Sequence, residues 1–246
     1  MDPWKFYDIT HRDHVFCNPL SSAKFDELID VLRLAPSARV LDVACGKAEL
    51  LIRLVERYSV SAVGVDISPF CIRDARAKAA SRVPRADISF LEMDGAHYKA
   101  GGEPVDLAMC VGASWIWQGH RDTLRSLSSF VRPGGLVLTG EPYWRRPPDP
   151  SYLADGRMRL EDFSTHDGNV AVGVEVGLTP LYTIAGSEDD WDRYESLQWQ
   201  AAERFAAEHP DDPDLAELLA RVRNARDTYL RWGRGTMGWA LYLFRR

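Results

Sequence analysis

The chain has 246 residues, 46% hydrophobic and 27% charged, with a formal net charge of −6. This composition excludes disordered and collagen-like classes, and the length suits one domain with insertions, large enough to bury a core without disulfides or metal. The acidic balance argues against a nucleic-acid partner, which calls for a basic face to neutralise phosphate.

No apolar run approaches a membrane span, and Met1–Thr10 lacks a signal-peptide core. The expectation is a cytoplasmic protein with no membrane partner. Cys17, Cys45, Cys71 and Cys110 are widely spaced without a C-x-x-C pair. They read as small buried thiols in a reducing compartment, with no metal expected.

Taken in chain order, Phe25, Leu28, Ile29 and Leu32 form the stripe of an amphipathic helix that Ser21 or Ser22 can cap. Val40–Ala44 reads as a short buried strand. Leu50, Leu51, Leu54 and Val55 give a second helical stripe, and Val60–Val65 the next strand. Ser68-Pro69 is a helix start, with serine as cap and proline at the first helical position. Strands follow at Ile88–Leu91 and Val105–Val111, then a helix over Thr123–Val131, a Pro133-Gly134-Gly135 turn and a strand at Leu136–Thr139. Beyond Gly140 the spacing predicts a surface loop at Arg145–Pro150 and part of a helix within Glu161–Gly177. It then predicts a strand at Leu181–Ile184, helices over about 188–208 and 214–232 (the second capped by Asp212-Pro213), and a last strand at Trp239–Phe244.

Strand and helix alternate, and the strands are apolar runs, the pattern of a parallel sheet buried on both faces. The predicted fold is α/β: a doubly wound, Rossmann-like, seven-stranded, mostly parallel sheet, with a helical insertion before the last strand. One domain spans residues 1–246. It comprises an N-terminal segment (1–20), a cofactor-binding core (21–144) and an acceptor-side part (145–246). Ligands of such sheets bind beyond the carboxyl ends of the strands.

The first strand–helix turn, Asp42-Val43-Ala44-Cys45-Gly46-Lys47-Ala48, carries one glycine where the backbone must approach a cofactor. Asp66 ends the second strand and suits the two hydroxyls of a ribose. Asp94 ends the third, just before Gly95. A dinucleotide would set its pyrophosphate on a glycine-rich turn, and Asp42 would repel it there. A sulfonium cofactor carries no phosphate and tolerates that acid.

At these residues the sequence resembles the class I S-adenosylmethionine-dependent methyltransferases. Val40–Gly46 is similar to their motif I, Gly64–Ser68 to motif II, Glu92–Ala96 to the adenine-binding stretch, and Val131–Gly135 to the turn before strand five. The words Cys110–Trp115, Gly140–Trp144 and Trp191–Tyr194 are similar to a bacterial subgroup. The resemblance implies S-adenosyl-L-methionine as cofactor. It places Ala44 and Gly46 at the methionine part, Asp66 at the ribose and Asp94 at the adenine amino group, with Ala96 and His97 bordering the adenine; Asp42, Ile67 and Gly95 complete the candidate cofactor-binding residues. Cys110 and Val111 fall where the transferable methyl should point. Ala44 and Ala48 depart from the family's usual glycines, at little cost if their φ is negative. The resemblance also implies that the segment holding Tyr7, His11, His14 and Asn18 folds over the cofactor.

Trp115, Trp117, Tyr143 and Trp144 lie just beyond strands four and five, where an acceptor must sit. With Trp191 and Tyr194 they are the candidate acceptor-binding residues, as apolar walls or faces for a cation. Glu141 is the candidate general base, with His11 and His14 as rivals; the alternative for Glu141 is an ion pair with Arg145 or Arg146. The expected function is methyl transfer to a small aromatic or amine acceptor by in-line displacement. The alternatives are an NAD(P)-dependent oxidoreductase on the same sheet, a nucleic-acid methyltransferase, and a non-catalytic S-adenosylmethionine-binding protein.

Overall fold

The computed structural model describes residues 1–99 and 101–246. Among the described residues seven strands form one sheet: β1 (Arg39–Val43), β2 (Ser61–Asp66), β3 (Ile88–Glu92), β4 (Val105–Val111), β5 (Val131–Trp144), β6 (Thr179–Ala185) and β7 (Met237–Arg245), in the order β3-β2-β1-β4-β5-β7-β6. The pairs from β3 to β5 are parallel, and β7 runs antiparallel to both β5 and β6. The predicted fold class and the insertion before the last strand match this architecture.

Strand side chains alternate between two cores. On one face Val40, Ala62, Leu107 and Met109 pack with α2 (Ser22–Leu32), α3 (Glu49–Tyr58) and α4 (Pro69–Arg82). On the other, Leu41, Val43, Val65, Ala108 and Cys110 pack with α5 (His120–Phe130) and α7 (His166–Glu175). The short α6 (Pro150–Gly156) precedes α7. Complete burial of a leucine or valine on either face contributes about 1.5–3 kcal/mol, so the two layers dominate stability.

Ser68 caps α4 as predicted, its hydroxyl accepting from the Cys71 N–H at 3.3 Å. β5 is longer than its predicted core at both ends. Val131 already pairs with Val105, Gly134 takes φ +78° across the irregularity, and the ladder continues to Trp144 against Met237.

The insertion is an antiparallel pair, α8 (Glu188–Glu208) and α9 (Leu215–Thr228). Asp214, not Asp212-Pro213, is the α9 N-cap; Asp212 Oδ1 instead accepts the Asp214 N–H at 2.9 Å. Past Thr228 the helix loosens into a π-helical turn, Tyr229–Gly233. The N-terminal helix α1 (Pro3–Thr10) packs on this insertion. Ile9 is buried with Ala202, Leu218 and Val222, and Lys5 pairs with Asp212 and Asp214 at 2.8 Å. Among the described residues no helix is long and apolar enough to cross a membrane.

Candidate active site

The strand order reverses where β1 lies between β2 and β4. There, beyond the carboxyl ends of these strands, is a cavity of about 230 Å³. Its floor is the Ala44–Ala48 turn, and its walls are the ends of β1, β2 and β4 and residues 94–95. The N-terminal segment closes it with Trp4, Tyr7 and Val15 to Asn18.

Asp66 organises the floor. Its Oδ2 accepts the Gly46 N–H and its Oδ1 the Ser68 N–H, both at 2.8 Å. A carboxylate oxygen offers about two lone-pair sites, so the carboxylate, which lines the cavity, keeps acceptor capacity beyond these two bonds. Burial raises the Asp66 carboxyl above its ordinary range, the backbone donors of Ser68, Gly46 and Ile67 offsetting part of this. Asp42 is fully buried and pushed well up by desolvation, with the Asp66 charge adding to it. Asp94 uses Oδ1 to accept the Ala96 N–H at 2.9 Å. Glu49 also touches the cavity, but Arg53, Lys78 and Arg82 neutralise it at 2.8–2.9 Å. What remains is three acids, Asp42, Asp66 and Asp94, against one base, Lys47.

Lys47 is already committed. Its Nζ donates to the carbonyls of His11 (2.8 Å) and Arg12 (3.3 Å), fastening the N-terminal segment over the turn. Asn18 Nδ2 donates to the Val111 carbonyl at 3.3 Å on the far wall.

A methyltransferase-domain family profile matches residues 40–135. The uncharacterized protein YjhP of Escherichia coli is 31% identical over 98% of each chain, and its X-ray structure superposes with a TM-score of 0.92. The same TM-score relates this chain to a SAM-dependent methyltransferase of Thiobacillus denitrificans in complex with S-adenosyl-L-homocysteine, at 30% identity over 100% of both chains. A counterpart from Geobacter sulfurreducens, also in complex with S-adenosyl-L-homocysteine, is 29% identical over 98% of each, again with TM-score 0.92. The chain belongs to the S-adenosylmethionine-dependent methyltransferases.

Its cofactor is S-adenosylmethionine, and the residues present fit that group. An excess of acid, two of the three carboxyls buried or nearly so, suits a sulfonium and an ammonium, and it opposes the pyrophosphate of a dinucleotide. The space beside Gly46 is open: a Cβ there would meet no atom within 4 Å. Among the described residues no cluster of His, Cys, Asp and Glu could hold a metal ion.

The sequence-selected cofactor residues separate in space. Asp42, Ala44, Gly46, Asp66, Ile67, Asp94 and Gly95 line this cavity, as does Val111. Ala96 and His97 are exposed outside its wall. Cys110 is off it too, because the strand alternation turns its side chain into the α5 core. Ala44 and Ala48 sit at φ +62° and +55°, not at the negative φ that would make alanine cost little there. Each alanine in this left-handed region costs roughly 1–2 kcal/mol relative to ordinary backbone.

The acceptor-side selection needs more correction. Trp115 lies on the cavity rim and is 74% exposed. Trp117, two residues on in a 3-10 turn, packs instead against the α5 core, and Ile116 lines the cavity. Tyr143 and Trp144 are buried, because β5 runs through them to pair with β7. The Trp144 Nε1–H donates to the Leu160 carbonyl at 2.8 Å. Trp191 and Tyr194 sit on α8, away from the cavity wall.

The three candidate bases are off the wall as well. The His11 ring stacks on Tyr7 at 3.9 Å, and its Nε2 lies 2.9 Å from the Tyr194 hydroxyl. Burial, with His14 adjoining, lowers His11 to about 3. His14 Nε2 meets the Tyr194 carbonyl at 2.9 Å, and burial lowers it too. Glu141 is buried behind Ala113–Ile116, where Oε2 accepts the Ser114 hydroxyl at 2.8 Å and Oε1 has no partner. Burial pushes it up to about 8. Neither Arg145 nor Arg146 reaches it; Arg145 lies 3.7 Å from Glu188. Residues the sequence did not single out also line the cavity: Trp4, Val15, Phe16 and Cys17 of the closing segment, and Cys71 of α4. Trp4 comes from α1 itself, and Val15, Phe16 and Cys17 from the covering segment beyond it, which no spacing signals.

Proposed function

We propose that the protein transfers the methyl group of S-adenosylmethionine to a small-molecule acceptor entering beside Trp115. The observation that carries this is the acid-rich cavity at the β1/β4 reversal, closed on its outer side by the chain's own N-terminal segment. In this reading Ala44 and Gly46 border the methionine part, Asp66 grips the ribose and Asp94 holds the adenine amino group. The bound cofactor supplies a methyl group already activated by its sulfonium. The protein's part is then alignment and the exclusion of water, a proximity effect.

None of the three candidate bases lines the cavity, and His11 is held neutral far below pH 7. That favours an acceptor needing no side-chain base, such as an amine or a thiol, over an alcohol. The net charge of −6 disfavours a phosphate-rich duplex as acceptor.

Calorimetric titration with S-adenosylmethionine, S-adenosylhomocysteine and NAD tests the cofactor part. An acceptor screen that measures S-adenosylhomocysteine release tests the rest. Binding of the adenosyl pair without NAD, and turnover on amines or thiols, is the expected result. Binding of NAD alone, or turnover confined to oligonucleotides, overturns the reading.

A further inference from the structure

A second cavity of about 310 Å³ lies on the far side of the insertion, between α6, α8, α9 and the π-helical turn. It shares no lining residue with the methyltransferase cavity. Three aromatic side chains wall it: Tyr152, Trp191 and Tyr229. Trp191 and Tyr229 lie at 6.1 Å between centroids with a 23° tilt, and Trp232 backs Tyr152 at 6.2 Å and 22°. Two acids, Glu195 and Asp155, line the same space, and no lysine, arginine or histidine does.

Glu195 is the unusual member. No basic group offsets its charge, and burial pushes its carboxyl up to about 7. The Trp199 indole N–H beside it pulls slightly the other way, yet makes no hydrogen bond of acceptable geometry. The Trp191 indole N–H is likewise buried without a partner. Arg234, just past the π turn, is spent on Asp192 at 3.0 Å and Glu188 at 2.9 Å.

A half-buried carboxylate without a counter-ion is costly. Inside aromatic walls it is stabilised by a ligand cation, which the ring faces attract as well. The backbone points the same way. A π-helical turn is an expensive departure from the α-helix, found mostly at functional sites, and this one contributes Tyr229 and Gly233 to the cavity. Gly233 is held close: a Cβ there would sit 3.1 Å from the Tyr152 hydroxyl oxygen.

We propose that this cavity is a second ligand site, separate from the cofactor cavity, that takes a small organic ammonium cation between its aromatic walls and Glu195. Because it shares no wall with the cofactor cavity, it is distinct from the acceptor entry proposed above and stands whatever the acceptor is.

The test is calorimetry on the intact protein, first saturated with S-adenosylhomocysteine. Choline, tetramethylammonium and the neutral choline isostere 3,3-dimethyl-1-butanol are then titrated. Choline and tetramethylammonium saturate at or below about 1 mM, roughly 4 kcal/mol of binding. The isostere binds at least about tenfold more weakly, a difference of about 1.4 kcal/mol. Glu195→Gln weakens the cations by about tenfold or more, while S-adenosylhomocysteine affinity and the circular dichroism spectrum stay as in the wild type. Tyr152→Leu, which removes one wall, weakens them in the same direction. The proposal is overturned if the cations give no saturable heat, if the isostere binds as tightly, or if both variants bind cations like the wild type. Failure of the first saturation step speaks instead against the methyltransferase cavity, and leaves the cation titration readable.

Discussion

Replacing Asp66 separates what that side chain does for the fold from what it does for the cofactor. Its two oxygens accept the Gly46 and Ser68 N–H groups at 2.8 Å each. A hydrogen bond to a charged group contributes about 1.5–3 kcal/mol, and the carboxylate's own desolvation offsets part of the pair. Asp66→Ala therefore lowers the stability of the cofactor-free protein by about 2–4 kcal/mol, a melting shift of about 5–15 °C at this size. The two remaining lone pairs are those proposed for the ribose hydroxyls. Their loss, at about 1.5 kcal/mol each, weakens S-adenosylhomocysteine about 100-fold or more. Asp66→Asn keeps one acceptor and falls between. Thermal melts of the free protein and calorimetric titration read the two quantities separately. The reasoning fails if Asp66→Ala melts like the wild type and binds S-adenosylhomocysteine within about threefold of it.

Three further outcomes follow from the same geometry. Ala44→Gly relieves a left-handed alanine whose methyl is only partly buried, and gains about 0.5 kcal/mol after unfolded-state entropy; Ala48→Gly, at a fully packed site, gains nothing because about 0.8 kcal/mol of methyl burial is lost. Denaturant melts that rank Ala48→Gly above Ala44→Gly refute this. For Glu141 the folded pKa, about 8, lies above the ordinary 4.5, so its stabilisation is complete below pH 4.5 and declines as pH rises through 8. Glu141→Gln removes that decline, and its advantage over the wild type grows from pH 5 to pH 8.5, by up to about 5 kcal/mol; a constant difference across that range refutes it. Lys47→Met releases the His11 and Arg12 carbonyls, and limited proteolysis within residues 12–18 accelerates; an unchanged cleavage rate counts against the fastening role.

The sheet was legible because each buried strand is a short apolar run between turn signals, and β4 matches its predicted span to the residue. The cofactor half of the cavity was legible for the same reason, since Asp42, Gly46 and Asp66 stand at strand ends that local sequence defines. The aromatic residues were not. Tyr143 and Trp144 read as loop residues beyond a strand, because the partner that extends β5 is nearly a hundred residues further on. His11 and His14 read as bases at their ordinary pKa. Only the packing of α1 on α8 shows that Tyr194 takes them out of solvent, and burial then lowers both. Trp191 was read as part of an aromatic site, and it does line a cavity, on the other side of the insertion.

The position of β7 sets the timing of folding during synthesis. It lies inside the sheet, between β5 and β6, yet it is made after both and after the two inserted helices. Residues 186–236 separate β6 from it, and a ribosome adding about 5–20 residues per second takes roughly 3–10 s to make them. During that interval the growing chain presents one unpaired edge on β5 and both edges of β6, whose partner in the sheet is β7. Open edges of this kind pair readily with other chains. The nascent protein therefore depends most on chaperone cover in the seconds before its final strand emerges and closes the gap.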